Sequence, residues 1–204
     1  MIWNWMSRYN GSMGALLRPR LSVEEYLAID RAAEAPSEYH DGEMFPVETA
    51  SLTHARLLFK IGRRFSERLD GSPCEVAGAT IRVRVSPSKY LYPDVIVYCG
   101  KPELTDEHQD TISNPKVIVE ILSPSTEGYD YGKKFVLYRG LPSFEEYLLV
   151  SQDEPRVEVS RRTPENRWLL TTYSGLDAVV QVESLGISIP MTELYDGVEF
   201  EPTQ

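Results

Sequence analysis

Sulfur and histidine are scarce in this chain: Cys74 and Cys99 are its two cysteines, and there are three histidines in 204 residues. With no CxxC pair, neither a zinc site nor a disulfide framework is implied, and a reducing cytoplasm is the expected location. No run approaches the roughly 20 apolar residues that span a bilayer, so no membrane partner is expected. Positive charge is outweighed, 21 Lys and Arg against 31 Asp and Glu, for a formal net charge of -10. That excludes a protein that coats nucleic acid with a broad basic face. It leaves room for a nuclease whose acids gather at a metal and whose phosphate contacts are local.

What is present is the balance of a folded protein: 42% hydrophobic and 25% charged residues. Met1 to Leu17 is broken by polar residues and lacks the apolar core of a signal peptide. Residues 1–20 are therefore expected to be a flexible extension, and 21–204 a single domain large enough for its own core. No internal repeat or linker divides it.

Ser22-Val-Glu-Glu25 is a capping box, which predicts a helix to about Ala33 that Pro36 closes off. Asp41-Gly42 is a turn before a first strand over Glu43 to Glu48. Thr53 to Leu69 reads as an amphipathic helix, with Leu57, Leu58, Ile61, Phe65 and Leu69 on one stripe. Arg56, Lys60, Arg63 and Arg64 recur on another, either a solvated face or a ridge that tracks DNA phosphates. His54, at the start of this helix, is expected to cap or pack there. Cys74 to Val85 and Tyr90 to Tyr98 each predict a strand; Lys101 to Asn114, with His108, predicts a loop; Asp130 to Arg139 predicts a short helix. A meander follows over Glu146–Val150, Arg156–Arg162, Trp168–Tyr173 and Val179–Val182.

The most informative stretch is Val117 to Leu122, an apolar burst between Asn-Pro and Ser-Pro, which predicts a buried strand. Alternation puts Val117, Val119 and Ile121 on one face and Ile118, Glu120 and Leu122 on the other. Glu120 is then an acid in an apolar setting, which costs several kcal/mol unless a cation, a proton or donors meet it. Asp94 stands at the mouth of another apolar strand in YLYPDVIVY. Strand, turn and strand bring the two acids close enough to share a hard divalent ion, magnesium or manganese, since no Cys or His accompanies them.

The blocks SEYHDGE, YPDVIVY, VIVEILSPST, DYGKKFVLY and EEYLLV, in this order and spacing, resemble the Uma-type restriction endonuclease family, a branch of the PD-(D/E)XK nuclease superfamily. The resemblance implies an α/β fold: a restriction endonuclease-like core with a mixed central sheet flanked by helices, here followed by the C-terminal meander. It implies magnesium-dependent hydrolysis of DNA phosphodiesters. It assigns Asp94 and Glu120 to the metal, Lys134 to catalysis and Glu38 to the same shell through water. The superfamily's usual lysine two places after the second acid is Leu122 here; the likeness, not helical spacing, selects Lys134 over Lys133. A homodimer is expected by analogy, because double-strand cleavage needs two sites. A second class stays open: a catalytically inactive binding or regulatory module, in keeping with the acidic balance and Leu122.

Overall fold

The structure, a computed structural model, describes residues 20–47 and 50–200. Apart from Arg20, the extension expected at 1–20 lies outside the described residues, as does Glu48 at the end of the first expected strand.

A six-stranded mixed sheet forms the centre. In spatial order its strands are β11 (Trp168–Ser174), β10 (Arg156–Arg162), β9 (Glu146–Ser151), β8 (Val117–Leu122), β6 (Val95–Cys99) and β3 (Cys74–Gly78). β8 and β9 are parallel; the other neighbours are antiparallel. A second sheet carries β2 (Glu43–Pro46), β1 (Ser37–His40), β5 (Lys89–Leu91), β4 (Arg82–Ser86) and β7 (Thr111–Ile112), and β12 (Val179–Val182) pairs with β13 (Ile187–Pro190). The helices are α1 (Val23–Ala32), α2 (Leu52–Leu69), α3 (Glu127–Tyr129), α4 (Phe135–Tyr138) and α5 (Met191–Leu194), with a π turn over Asp130–Lys134 joining α3 to α4.

Both faces of β8 are buried, and the alternation decides what each meets. Val117, Val119 and Ile121 pack under the α2 stripe of Leu57, Ile61, Phe65 and Leu69. Ile118 and Leu122 face the second sheet through Val83, Leu91 and Ile112, and the helical segment through Tyr138. Glu120 shares that second face. A small aromatic core of Tyr26, Tyr39 and Tyr90 holds α1 to the second sheet, Tyr26 and Tyr39 stacking at 4.6 Å. The capping box at Ser22 and Glu25 is formed in both directions.

Several expectations give way to a chain that changes sheets. Cys74 to Val85 is not one strand: a turn that returns the Ile81 amide to Gly78 separates β3 from β4. Arg82, at the start of β4, is buried against Asp30 and Asp110. Tyr90 to Tyr98 breaks at Pro93, which has no amide for a ladder, so β5 and β6 serve different sheets. Ser37–His40 is itself a strand, paired with β2 through a turn in which Asp41 and Gly42 both have positive φ, 49° and 100°. Cys74 and Cys99 lie opposite each other on β3 and β6 and form a disulfide, which corrects the unbridged reading. The ground for a reducing cytoplasm goes with it. Among the described residues no helix is long and apolar enough to cross a membrane.

Phe65 is 1% exposed at the centre of the α2 contact. Truncation to Ala should cost about 3 to 5 kcal/mol of unfolding free energy in urea titration; a loss under about 1 kcal/mol would show that α2 does not carry this face of the sheet.

Candidate active site

The register of β6 on β8 pairs Val95 with Val119, and one further step places Asp94 opposite Glu120. There the ladder stops and the side chain takes over: Asp94 Oδ2 accepts from the Ile121 amide at 2.7 Å. Its Oδ1 lies 2.9 Å from His54 Nε2. His54 occupies the first turn of α2, where the Ser51 cap accepts from its amide. The Asp94 carboxylate thus ties the central strand to the start of the basic helix.

Glu120 is 3% exposed. Its Oε1 accepts from Lys134 Nζ and from the Tyr138 hydroxyl, each at 3.0 Å. The same ammonium stands 3.4 Å from Asp130 Oδ1 and 3.5 Å from Glu38 Oε1. Glu38 comes from β1; its Oε2 accepts from the Tyr129 hydroxyl at 2.7 Å and its Oε1 from the Tyr92 amide at 3.3 Å. Tyr129 Oη is also 2.9 Å from His40 Nε2. The π turn is what presents Asp130 and Lys134 inward together, while Lys133 remains exposed; such widened turns concentrate at functional sites.

Charge in this pocket is unequally shared. Burial pushes the Glu120 carboxyl well up; Lys134 opposes the shift, and the charges of Asp130 and Asp94 add to it. Burial also raises Asp130. Burial works against the Lys134 charge, but Glu120, Glu38 and Asp130 outweigh it and hold the ammonium protonated well above its ordinary value. Glu38 is held low despite burial, by His40, Lys134, Tyr129 and the Tyr92 amide. Lys134 is accordingly a charged hydrogen-bond donor at neutral pH and not a base.

The structure therefore brings Glu38, Glu120 and Lys134 into direct contact and sets Asp94 on the adjacent strand. It leaves most of the basic ridge elsewhere engaged. Lys60 pairs with Asp196, Arg63 and Arg64 with Glu67, and Arg64 also with Glu193. Arg56 has no ion pair among the described residues. Sequence reading passed over Asp130, whose helix-start position has an ordinary explanation, and Tyr129, Tyr138 and His40. It also expected His54 to cap or pack; the cap is Ser51, which accepts from the His54 amide, and the His54 ring reaches Asp94. Only the block DYGKKFVLY hinted that Asp130 and Tyr138 belong with Lys134.

Three acids, Glu38, Glu120 and Asp130, surround one ammonium, Asp94 borders them on the adjacent strand, and Asp130 Oδ1 is buried without a hydrogen-bond partner. The donors are all oxygen, so the set suits a hard divalent cation. Among the described residues no three His, Cys, Asp or Glu side chains already converge as a ligand shell; Asp94 and Glu120 would contribute two oxygen donors and water the rest.

This arrangement of sheet and helices matches a solved structure from Anabaena variabilis described as "a putative nuclease belonging to DUF820", with a TM-score of 0.69 at 18% identity over 88% of this chain and 99% of that one. The fold is thus of the class that this nuclease-described protein represents. At the sequence level, the profile of the Uma2 family, described as "Putative restriction endonuclease", matches residues 23–192, and the chain belongs to that family. Two uncharacterized proteins of Synechocystis sp. are similar to it. One is 32% identical over 183 residues, 89% of this chain and 95% of its own. The other is 35% identical over 168 residues, 82% of this chain and 95% of its own.

A carboxyl raised above its ordinary value near 4.5, as Glu120 is, binds a proton more readily folded than unfolded. It contributes stability that is present below that value and lost as pH climbs through the folded one. In chelator-treated buffer, wild type should therefore lose stability from pH 4.5 upward more steeply than Glu120→Gln. Parallel profiles in urea titrations across that range would mean that Glu120 is not raised.

Proposed function

We propose that this chain is a divalent-metal-dependent DNA endonuclease that hydrolyses phosphodiester bonds by direct attack of water. The observation that carries the reading is the Lys134 ammonium 3.0 Å from Glu120 Oε1, inside a buried acid cluster bordered by Asp94. Asp94 and Glu120 are assigned to magnesium or manganese, which when bound would polarise the phosphodiester and lower the pKa of a coordinated water.

The remaining roles belong to side chains of this chain. The water oxygen forms a bond to phosphorus as the bond to the leaving oxygen breaks, the water's proton passes to solvent and the leaving oxygen takes one from solvent, and charge builds on the phosphoryl oxygens. Lys134, held charged by three carboxylates, is the donor that meets that charge, already oriented before the substrate arrives. The Tyr138 hydroxyl and Lys134 hold Glu120 in one orientation. Tyr129 does the same for Glu38, the acid placed to hold a water at the edge of the site. DNA is the assigned substrate and a homodimer the assigned assembly for cutting both strands.

The test is nicking of supercoiled plasmid in magnesium or manganese by wild type, Asp94→Ala, Glu120→Gln and Lys134→Ala. Loss of one preorganised donor predicts a fall of roughly 100- to 1,000-fold for Lys134→Ala. The carboxylate variants should fall at least as far and should lose the manganese-dependent rise in melting temperature that wild type shows. Equal nicking by all four preparations would identify a contaminant. A wild type with neither nicking nor a metal-dependent melting shift would leave the inactive binding module as the reading.

A further inference from the structure

Beside the acid cluster lies a cavity of about 350 Å³ that the chemistry above does not use. Glu38 and Lys134 form part of its wall, and Phe45, His40, Tyr129 and Lys133 complete the sides relevant here. Phe45 stands directly opposite Glu38 in the β1–β2 register, so the two side chains share one face of the hairpin. Phe45 is 44% exposed on an edge strand. His40 meets it edge-on at 5.5 Å, and Tyr129 meets His40 in the same way at 6.3 Å. Lys133 Nζ lies 6.0 Å from the Phe45 ring centre. Unlike Lys60, Arg63 and Arg64, Lys133 has no acid partner among the described residues. His40 is 7% exposed, and its Nδ1 is buried without a hydrogen-bond partner.

An aromatic wall with an exposed ring, an ammonium at its rim that has no acid partner among the described residues, and the proposed catalytic lysine at its inner end are complementary to one kind of ligand. A flat heterocycle stacks on the ring, and an attached phosphate meets the ammonium. The volume sits at the small end of ligand pockets and suits one nucleotide, not a base pair. We infer that this cavity is a subsite for a single unpaired nucleotide next to the scissile phosphate, its base against Phe45 and its phosphate near Lys133. The inference deepens the nuclease reading by naming a substrate class: DNA with an unpaired base at the cleavage position, whether single-stranded, mismatched or flapped. A fully paired duplex would have to extrude a base to use the subsite, at a cost of a few kcal/mol.

Full-length protein in chelator, where no cleavage occurs, should bind a short single strand carrying 2-aminopurine with quenched fluorescence, and more tightly than the same sequence as a blunt duplex. Phe45→Ala should weaken that binding roughly 5- to 150-fold, the range for loss of one stacked base. Phe45→Trp should retain it, which together with unchanged melting of both variants separates stacking from misfolding. A strand with an abasic site in place of the base should bind wild type no better than it binds Phe45→Ala. Equal affinity for single strand and duplex, or an Ala variant that binds like wild type, overturns the subsite. Plasmid nicking judges the nuclease reading separately: binding as described without nicking sinks the catalytic assignment and leaves the subsite, and the reverse result sinks the subsite alone.

Discussion

One ammonium buried among carboxylates is the constraint on which the centre of this protein depends. Lys134 satisfies Glu120 directly and offsets Asp130 and Glu38 at slightly longer range. Removing it would leave buried anions without a counter-ion, the circumstance in which breaking an ion pair costs far more than replacing the whole pair by apolar groups. The reverse also holds: a single positive charge does not neutralise three acids. Burial first, and the charge of the neighbouring acids second, keep Glu120 and Asp130 above their ordinary values.

Each contributor reaches the pocket from a different layer. β8 supplies Glu120 from a strand apolar on both faces, β1 supplies Glu38 across the inter-sheet space, and the π turn supplies Asp130 and Lys134. Their relative positions therefore hang on how the surrounding elements are clamped together. One clamp is the buried network in which Arg82 of β4 reaches Asp30 of α1 and Asp110 of the following loop, while Arg31 also binds Asp110. A second is Glu146, fully buried at the start of β9 and accepting from the Glu183 and Ser184 amides and the Ser184 hydroxyl. These buried acids have complete structural duties. Asp130 differs: its Oδ1 is buried without a hydrogen bond and meets the Lys134 ammonium at 3.4 Å.

Much of the central strand was legible before any coordinates. The period of two in Val117–Leu122 set which side chains meet α2 and which meet the second sheet, and the isolated acid announced its own difficulty. The α2 stripe and the Ser22 capping box were equally readable, because periodicity and caps are local. The burial of Arg82 was not legible in the same way: alternation says which residues share a face, but not whether that face meets water. Cys74 and Cys99 were read as unpaired because 25 residues separate them and only strand register places them side by side.

Local chemistry along the chain, then, was enough to single out Asp94 and Glu120 as acids at apolar strands, and likeness to a family was enough to choose Lys134 over its neighbour. Neither could say that Lys134 touches Glu120, that Glu38 and Asp130 close around the same ammonium, or that His54 holds Asp94. Those contacts join residues as far as 96 positions apart in number, Glu38 to Lys134, across two sheets and a widened helical turn. Such distances are settled only when the layers pack, because the free energy that fixes them comes from burying both faces of β8 and not from any preference in the segments themselves.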